Sequence, residues 1–175
     1  MPIEGIEQPE ILTVSPTLRL RKYGGVFDFA LPWYQDSVVL KMSEGENTKP
    51  YTLKNLNWMY TYLNSHGELY WIEELQGDEF VPIGDVTMWQ DDLPIVLGSP
   101  QVRGRGIGKA VIKALIARAR SLGWDHLSVQ NIYSYNTASQ NLFLFCGFHE
   151  TGKTETGASY RLELAEDGAV AESRK

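Results

Sequence analysis

The run Arg103-Gly104-Arg105-Gly106-Ile107-Gly108 constrains this 175-residue chain more than any other segment. Before it, Leu93-Pro94-Ile95-Val96-Leu97-Gly98 reads as a strand, and after it Lys109 to Leu122 reads as a helix. Ile107, Val111, Leu115 and Leu122, widened by Ile112 and Ile116, form the apolar stripe of a helix packed on a sheet. A strand, a glycine-rich bend and a helix N-terminus together make an anion site. Glycine lets the backbone approach closely, the first amides of the helix lack internal partners, and the helix dipole favours negative charge. Arg103 and Arg105 add guanidinium groups suited to phosphate. The segment predicts a phosphorylated ligand.

Two familiar phosphate loops do not fit. No Gly-Lys-Ser/Thr triplet follows four spacer residues after a first glycine, so this is not a Walker A loop. The glycines are spaced G-x-G-x-G, and no first βαβ unit surrounds them, so it is not a dinucleotide fingerprint either. A tight strand-to-helix turn would itself demand glycine, and the run therefore needs corroboration. A second segment supplies it. Leu127-Ser128-Val129-Gln130 reads as the next strand, Asn136 as a helix N-cap, and Thr137 to Cys146 as a short amphipathic helix closed by Gly147 and Phe148.

These two segments carry a family resemblance. Arg103-x-x-Gly106-x-Gly108, with its lead-in Pro100-Gln101-Val102, resembles the Q/R-x-x-G-x-G/A loop with which the GNAT N-acetyltransferases hold the acyl-CoA diphosphate. Asn136, Ser139, Leu142, Phe143, Gly147 and Phe148 fall at the spacing of that family's N-x-x-A/S-x-x-L-Y-x-x-x-G-F signature. The resemblance spans roughly Ile83 to Leu164 and implies an α/β (α+β) fold. That fold has a mixed, strongly twisted sheet of about seven strands, with helices on both faces. It also implies an acetyl-CoA-dependent N-acetyltransferase, moving an acetyl group to a primary amine of a small molecule or a protein by direct attack in a ternary complex. A catalytically weak acyl-CoA-binding protein of the same fold is the alternative.

By the same resemblance, the amides of Gly104, Arg105, Gly106, Ile107, Gly108 and Lys109 hold the diphosphate, and Arg103 adds charge. Val96, Leu97 and Gly98 pair with the pantetheine amides, and an N–H of Leu97 or Gly98 faces the developing oxyanion. Asn136 and Ser139 touch the distal part of the cofactor, although a purely capping role suits Asn136 equally well. One departure matters: Phe143 stands where many members place a tyrosine that protonates the leaving thiolate. Tyr133 is the nearest replacement acid, with Tyr135 beside it, and water is the other source. The general base is expected near the start of the strand leading to the loop. Asp92 is the first choice, with Asp91, Asp85 and Glu74 as neighbours. The first two helices and the hairpin bring Trp33, Tyr34, Trp58, Tyr60, Trp71 and Trp89 to the acceptor side, where aromatics beside acids suit a cationic amine.

Composition agrees with that division. Residues 1–100 hold 15 acidic against 6 basic residues, whereas residues 101–175 hold 10 basic against 7 acidic. The basic part contains the phosphate loop, and the acidic part argues against nucleic acid as a partner. No stretch approaches the ~20 apolar residues of a membrane span. Cys146 is the only cysteine, so no internal disulfide forms, and with no secretory pattern at the start the expected location is cytoplasmic. His66, His126 and His149 have no metal-ligand spacing, so no metal is expected. The expected organisation is a loose arm over 1–15, one domain over 16–164 and a disordered tail over 165–175. The expected state is a monomer or a homodimer. The expected element order is β-α-α-β-β-β-α-β-α-β-β.

Overall fold

A computed structural model describes residues 1–164; the tail expected over 165–175 lies outside them. The chain divides into two compact units. The first comprises residues 1–89 and 94–108, and the second residues 90–93 and 109 onward.

The first unit is a five-stranded sheet with helices from its N-terminal half. Strands β1 (Ile11–Ser15), β2 (Leu18–Lys22), β3 (Glu68–Gln76), β4 (Glu79–Met88) and β5 (Ile95–Leu97) lie in that order, every pairing antiparallel. The segment expected as a loose arm is therefore a strand over its last five residues, because Ile11 to Ser15 finds partners on β2. The β3–β4 hairpin turns through Gly77 and Asp78, and Gly77 takes φ +65°, which a two-residue hairpin loop requires. On β4, Ile83 is an extra residue between Pro82, which faces Glu73, and Gly84, which faces Ile72. Proline has no N–H for the ladder, and a bulge absorbs that loss.

The first of the two helices expected before the hairpin is instead two. A 3-10 helix runs over Asp28–Gln35, with Pro32 inside it, and α1 follows over Ser37–Glu44. Pro32 cannot donate the bond a continuous helix needs, and the Asp36 carboxylate restarts the chain by accepting from the amides of Val38 and Val39. Helix α2 (Leu53–His66) opens with a reciprocal capping box between Thr52 and Asn55. Gly67 ends it in an extended conformation. A Cβ there would lie 2.6 Å from the Met88 carbonyl oxygen, so close approach to β4 is what demands glycine.

The second unit pairs β6 (His126–Tyr133), β8 (Gly157–Glu163) and β7 (His149–Lys153) as an antiparallel sheet in that order. It also contains most of α3 (Ile107–Ser121) and all of α4 (Thr137–Phe145). On α3, Ile107, Val111, Ile112, Leu115 and Ile116 are buried as the periodicity requires, and Ala119 joins them. Among the described residues, eight strands in two antiparallel sheets with the helices beside them give the expected α/β fold, close to the expected count of about seven. No helix among the described residues is long and apolar enough to cross a membrane.

Candidate active site

The chemically unusual group of the first unit is Asp85. Its neighbours on β4 are Gly84 and Val86, and the strand alternation turns its carboxyl to the face that carries Trp71 of β3 and Val96 of β5. The 3-10 helix brings Tyr34 and α2 brings Tyr60 onto that carboxyl. Both hydroxyls donate to Oδ2, over 2.7 Å and 2.8 Å. Oδ1 receives no hydrogen bond among the described residues, which leaves it able to accept a proton from another group. Asp85 is 2% exposed. Burial pushes its carboxyl up to about 6, against the opposing pull of the two tyrosine donors. Burial and the neighbouring carboxylate push both phenols further from ionisation, so Tyr34 and Tyr60 remain neutral donors. A carboxyl that titrates close to neutrality and keeps one oxygen vacant has the properties of a general base.

Rings surround it. Tyr60 lies 5.1 Å from Trp71 and 6.2 Å from Tyr34 between centroids, both edge-on, and Trp33 meets Trp71 at 6.1 Å. Phe29 and Tyr23 close on Trp71 from outside, at 4.6 Å and 5.7 Å. Of the six aromatic residues expected on the acceptor side, Trp33, Tyr34, Tyr60 and Trp71 thus form one cluster, and Trp89 packs at its margin. Trp58 does not join. It is 70% exposed and stacks on Tyr62 along the outer surface of α2.

Strand β5 adjoins this cluster through Val96, which packs against it. Within the sheet β5 has one neighbour, β4. The amide of Gly98 donates to Ile83 over 2.8 Å, and the amide of Thr87 donates to Pro94. In an antiparallel ladder these bonds alternate, so the N–H groups of Ile95 and Leu97 point away from β4. Of the two expected oxyanion donors, Gly98 is therefore committed to the ladder and Leu97 keeps a directed, unshared N–H. Gly98 is required for another reason: a Cβ there would sit 2.3 Å from the Trp33 indole.

The loop after β5 has the geometry its glycines imply. Gly104 and Gly106 take φ of +71° and +79°, and nothing lies within 4 Å of a Cβ built on either. An open, glycine-lined bend directly before α3 is a cradle that a diphosphate fits. The two arginines differ from expectation. Arg105 is engaged bidentately by Glu74, at 3.2 Å and 2.6 Å, so it offers the loop its amide rather than its charge. Arg103 donates to the Leu97 carbonyl over 3.4 Å. The ammonium of Lys109 lies 4.0 Å over the Phe145 ring.

The remaining expected residues lie in the second unit. Asp92 Oδ1 accepts from the amides of Leu93 and Gln130, at 3.0 Å and 3.1 Å, which pins the 90–93 turn to β6. Burial raises its carboxyl, while those amides hold it down. Tyr133 stacks face to face on Tyr135 at 5.3 Å. Asn136 caps α4 by accepting from the Ser139 amide. Phe143 is 2% exposed and meets Phe148 edge-on at 5.1 Å. Phe143→Ala is therefore expected to cost about 3–5 kcal/mol in a chemical denaturation series. It should leave the pH dependence of rate unchanged. Among the described residues, no group of three His, Cys, Asp or Glu side chains is placed to hold a metal.

Known proteins share this fold. The model of the acetyltransferase (GNAT) family matches residues 31–148. A search of curated protein sequences found no match. Among solved structures, a GNAT-family acetyltransferase from Bacillus anthracis aligns with a TM-score of 0.72 at 13% identity, over 89% of this chain and 99% of that one. The acetyl-CoA complex of yncA from Salmonella typhimurium aligns with a TM-score of 0.64 at 19% identity, over 84% and 94% of the two chains. A Salmonella typhimurium acetyl transferase that modifies the N-terminal serine of ribosomal protein L7/L12 aligns at 0.64 and 18% identity, over 88% and 97%.

Proposed function

The chain belongs to the GNAT acetyltransferase family, and from that membership we propose that Asp85 is the base with which it transfers an acetyl group from acetyl-CoA to a primary amine. Within the family acetyl-CoA is the co-substrate, and the chain is an acyltransferase. The reading of the base rests on one observation: a buried carboxyl beside β5, held by two neutral tyrosines, with Oδ1 unoccupied.

When bound, acetyl-CoA supplies a thioester carbonyl and a thiolate leaving group. The amides from Gly104 to Lys109 would hold its diphosphate, with Arg103 bracing β5 through the Leu97 carbonyl. By the family's order of motifs, Asn136 and Ser139, at the start of α4, would contact the distal part of the cofactor. The Leu97 N–H, which points off the sheet edge, would serve as donor to the charge that develops on the carbonyl oxygen. Asp85 Oδ1 takes the proton of the attacking amine, directly or through one water. Tyr34 and Tyr60 stabilise the ionised carboxylate and hold its orientation. The aromatic cluster accommodates the ammonium form of the amine before it is deprotonated.

We take Asp85 rather than Asp92 for this role because Asp85 lies on β4 beside β5 with the acceptor-side rings on its face, whereas Asp92 anchors its turn to β6 through the amides of Leu93 and Gln130. With Phe143 unable to donate a proton, Tyr133 or water protonates the leaving thiolate. The acceptor is a primary amine of a small molecule or of a protein. Release of free CoA thiol, measured with acetyl-CoA against a panel of primary amines, tests the activity. Turnover with at least one amine is the expected result. Saturable acetyl-CoA binding without thiol release would instead make the chain a cofactor-binding protein of this fold.

A further inference from the structure

Strand β2 of the first unit carries two cations on one face. Arg19 and Arg21 alternate with the buried Leu18 and Leu20, so their side chains leave the sheet on the opposite side from that pair. Across the ladder Arg19 stands opposite Glu73, and Arg21 opposite Trp71. The Glu73 carboxylate takes both: Arg19 Nε donates to Oε1 over 2.9 Å, and Arg21 Nε to Oε2 over 2.7 Å. The Glu73 side chain is 3% exposed, against 30% and 36% for the two arginines. The Phe80 ring, 4.0 Å from Arg19 Cζ, lies against that guanidinium and steadies it. Neither arginine has a part in the acetyl transfer derived above.

The arrangement leaves donors over. A guanidinium that answers a carboxylate fully does so through two parallel N–H bonds, as Arg105 does with Glu74. Arg19 and Arg21 each give Glu73 a single bond, and among the described residues their terminal nitrogens donate to nothing. Their cross-strand neighbours on β1, Thr13 and Ile11, carry no charge, and Glu10 lies 3.7 Å from the Lys22 ammonium. Two guanidinium groups against one carboxylate leave one positive charge, partly exposed and held in place before any ligand arrives. A single further carboxylate neutralises it, and the planar forks match its geometry. The row Arg21, Trp71, Asp85 crosses three strands on this same face, over two strand spacings of about 4.8 Å each. Trp71 carries the exposed Phe29 ring 4.6 Å away, an apolar surface for a short run of methylenes. We infer that Arg19 and Arg21 bind a carboxylate borne by the acceptor, so that the substrate is a primary amine with an acidic group a few methylenes away. The amine's place rests on Asp85 as the proposed base; the carboxylate's place does not.

Release of CoA thiol from acetyl-CoA is followed with δ-aminovalerate, pentylamine and cadaverine, primary amines of similar length whose far ends are anionic, apolar and cationic. δ-Aminovalerate should exceed each of the others by about tenfold or more in kcat/KM. Arg19→Gln and Arg21→Gln should each bring that ratio down toward one. Because either variant leaves Glu73 with a single partner and can disturb the strand, exposed Thr13, opposite Arg19 on β1, supplies a second pair. Thr13→Asp sets a carboxylate beside the arginines and should remove the preference while pentylamine is still turned over. Thr13→Asn, of the same size and uncharged, should retain it. Preference for pentylamine or cadaverine, or a ratio that survives Thr13→Asp and both glutamine variants, would overturn the inference. Valerate, titrated into the full chain without acetyl-CoA and followed by guanidinium chemical shifts, separates the site from the catalysis. Saturable shifts at Arg19 and Arg21 without thiol release from any amine would leave the carboxylate site standing and remove the acetyl transfer. Equal turnover of all the amines with no valerate shifts would do the opposite.

Discussion

Asp85→Asn is expected to lower kcat for acetyl transfer by about 10²–10⁴, the usual contribution of a positioned general base, while raising stability at neutral pH. The two effects share one cause. The carboxyl of Asp85 is raised from 3.8 to about 6 because it is buried. Between about pH 4 and pH 6 the unfolded chain has released this proton and the folded chain still holds it. Stability therefore falls as pH rises through that interval. The loss amounts to about 3 kcal/mol by pH 7, because each tenfold difference in acidity between the folded and unfolded chain is worth about 1.4 kcal/mol. Asparagine keeps an oxygen that can accept from Tyr34 and Tyr60 and never ionises, so the variant avoids that loss. Thermal melts at pH 4 and pH 7.5 check the stability limb, with the variant gaining only at the higher pH. In the wild type, kcat/KM should rise with pH through about 6, and that limb should disappear in the variant. A variant with unaltered kcat and an unaltered pH profile would remove Asp85 from the reaction.

Gly106→Glu should abolish acetyl-CoA binding, on the order of 10²-fold or more in Kd. Gly106 has φ +79°, open space where its Cβ would be, and a position one residue before α3. A glutamate there suffers the strain of a left-handed backbone and places a carboxylate where phosphate must sit, at the positive end of the helix dipole. Gly106→Ala separates the two contributions, because it carries the backbone strain without the charge and should weaken binding much less. Titration calorimetry with acetyl-CoA measures both variants, and circular dichroism confirms that each is folded. Wild-type affinity in Gly106→Glu would place the diphosphate elsewhere.

The glycine-rich bend proposed to hold phosphate was legible in the sequence because its determinants are local. Glycines at two positions and a helix beginning at Ile107 are all encoded within a few residues, and positive φ at Gly104 and Gly106 follows from that order. The roles of its arginines were not legible. Glu74, 31 positions earlier in the chain, takes the Arg105 guanidinium, and nothing near Arg105 in sequence announces it. The same distance effect explains the proposed base. Asp92 is near the loop in sequence and looks suitable there, yet the amides of Leu93 and Gln130 engage it in anchoring its turn to β6. Asp85 becomes distinctive only after Tyr34 and Tyr60, at separations of 51 and 25 residues, arrive on its carboxyl.

Local order in the sequence thus determined the strand, bend and helix proposed to cradle a diphosphate, together with the capped helix α4, because backbone conformation and capping depend on near neighbours. Tertiary structure alone decided which carboxyl is driven toward neutrality, which β5 amide keeps its hydrogen, and where Pro32 divides the first helix so that Tyr34 reaches the sheet. Those outcomes depend on desolvation and strand register, which arise only when distant segments close over one another.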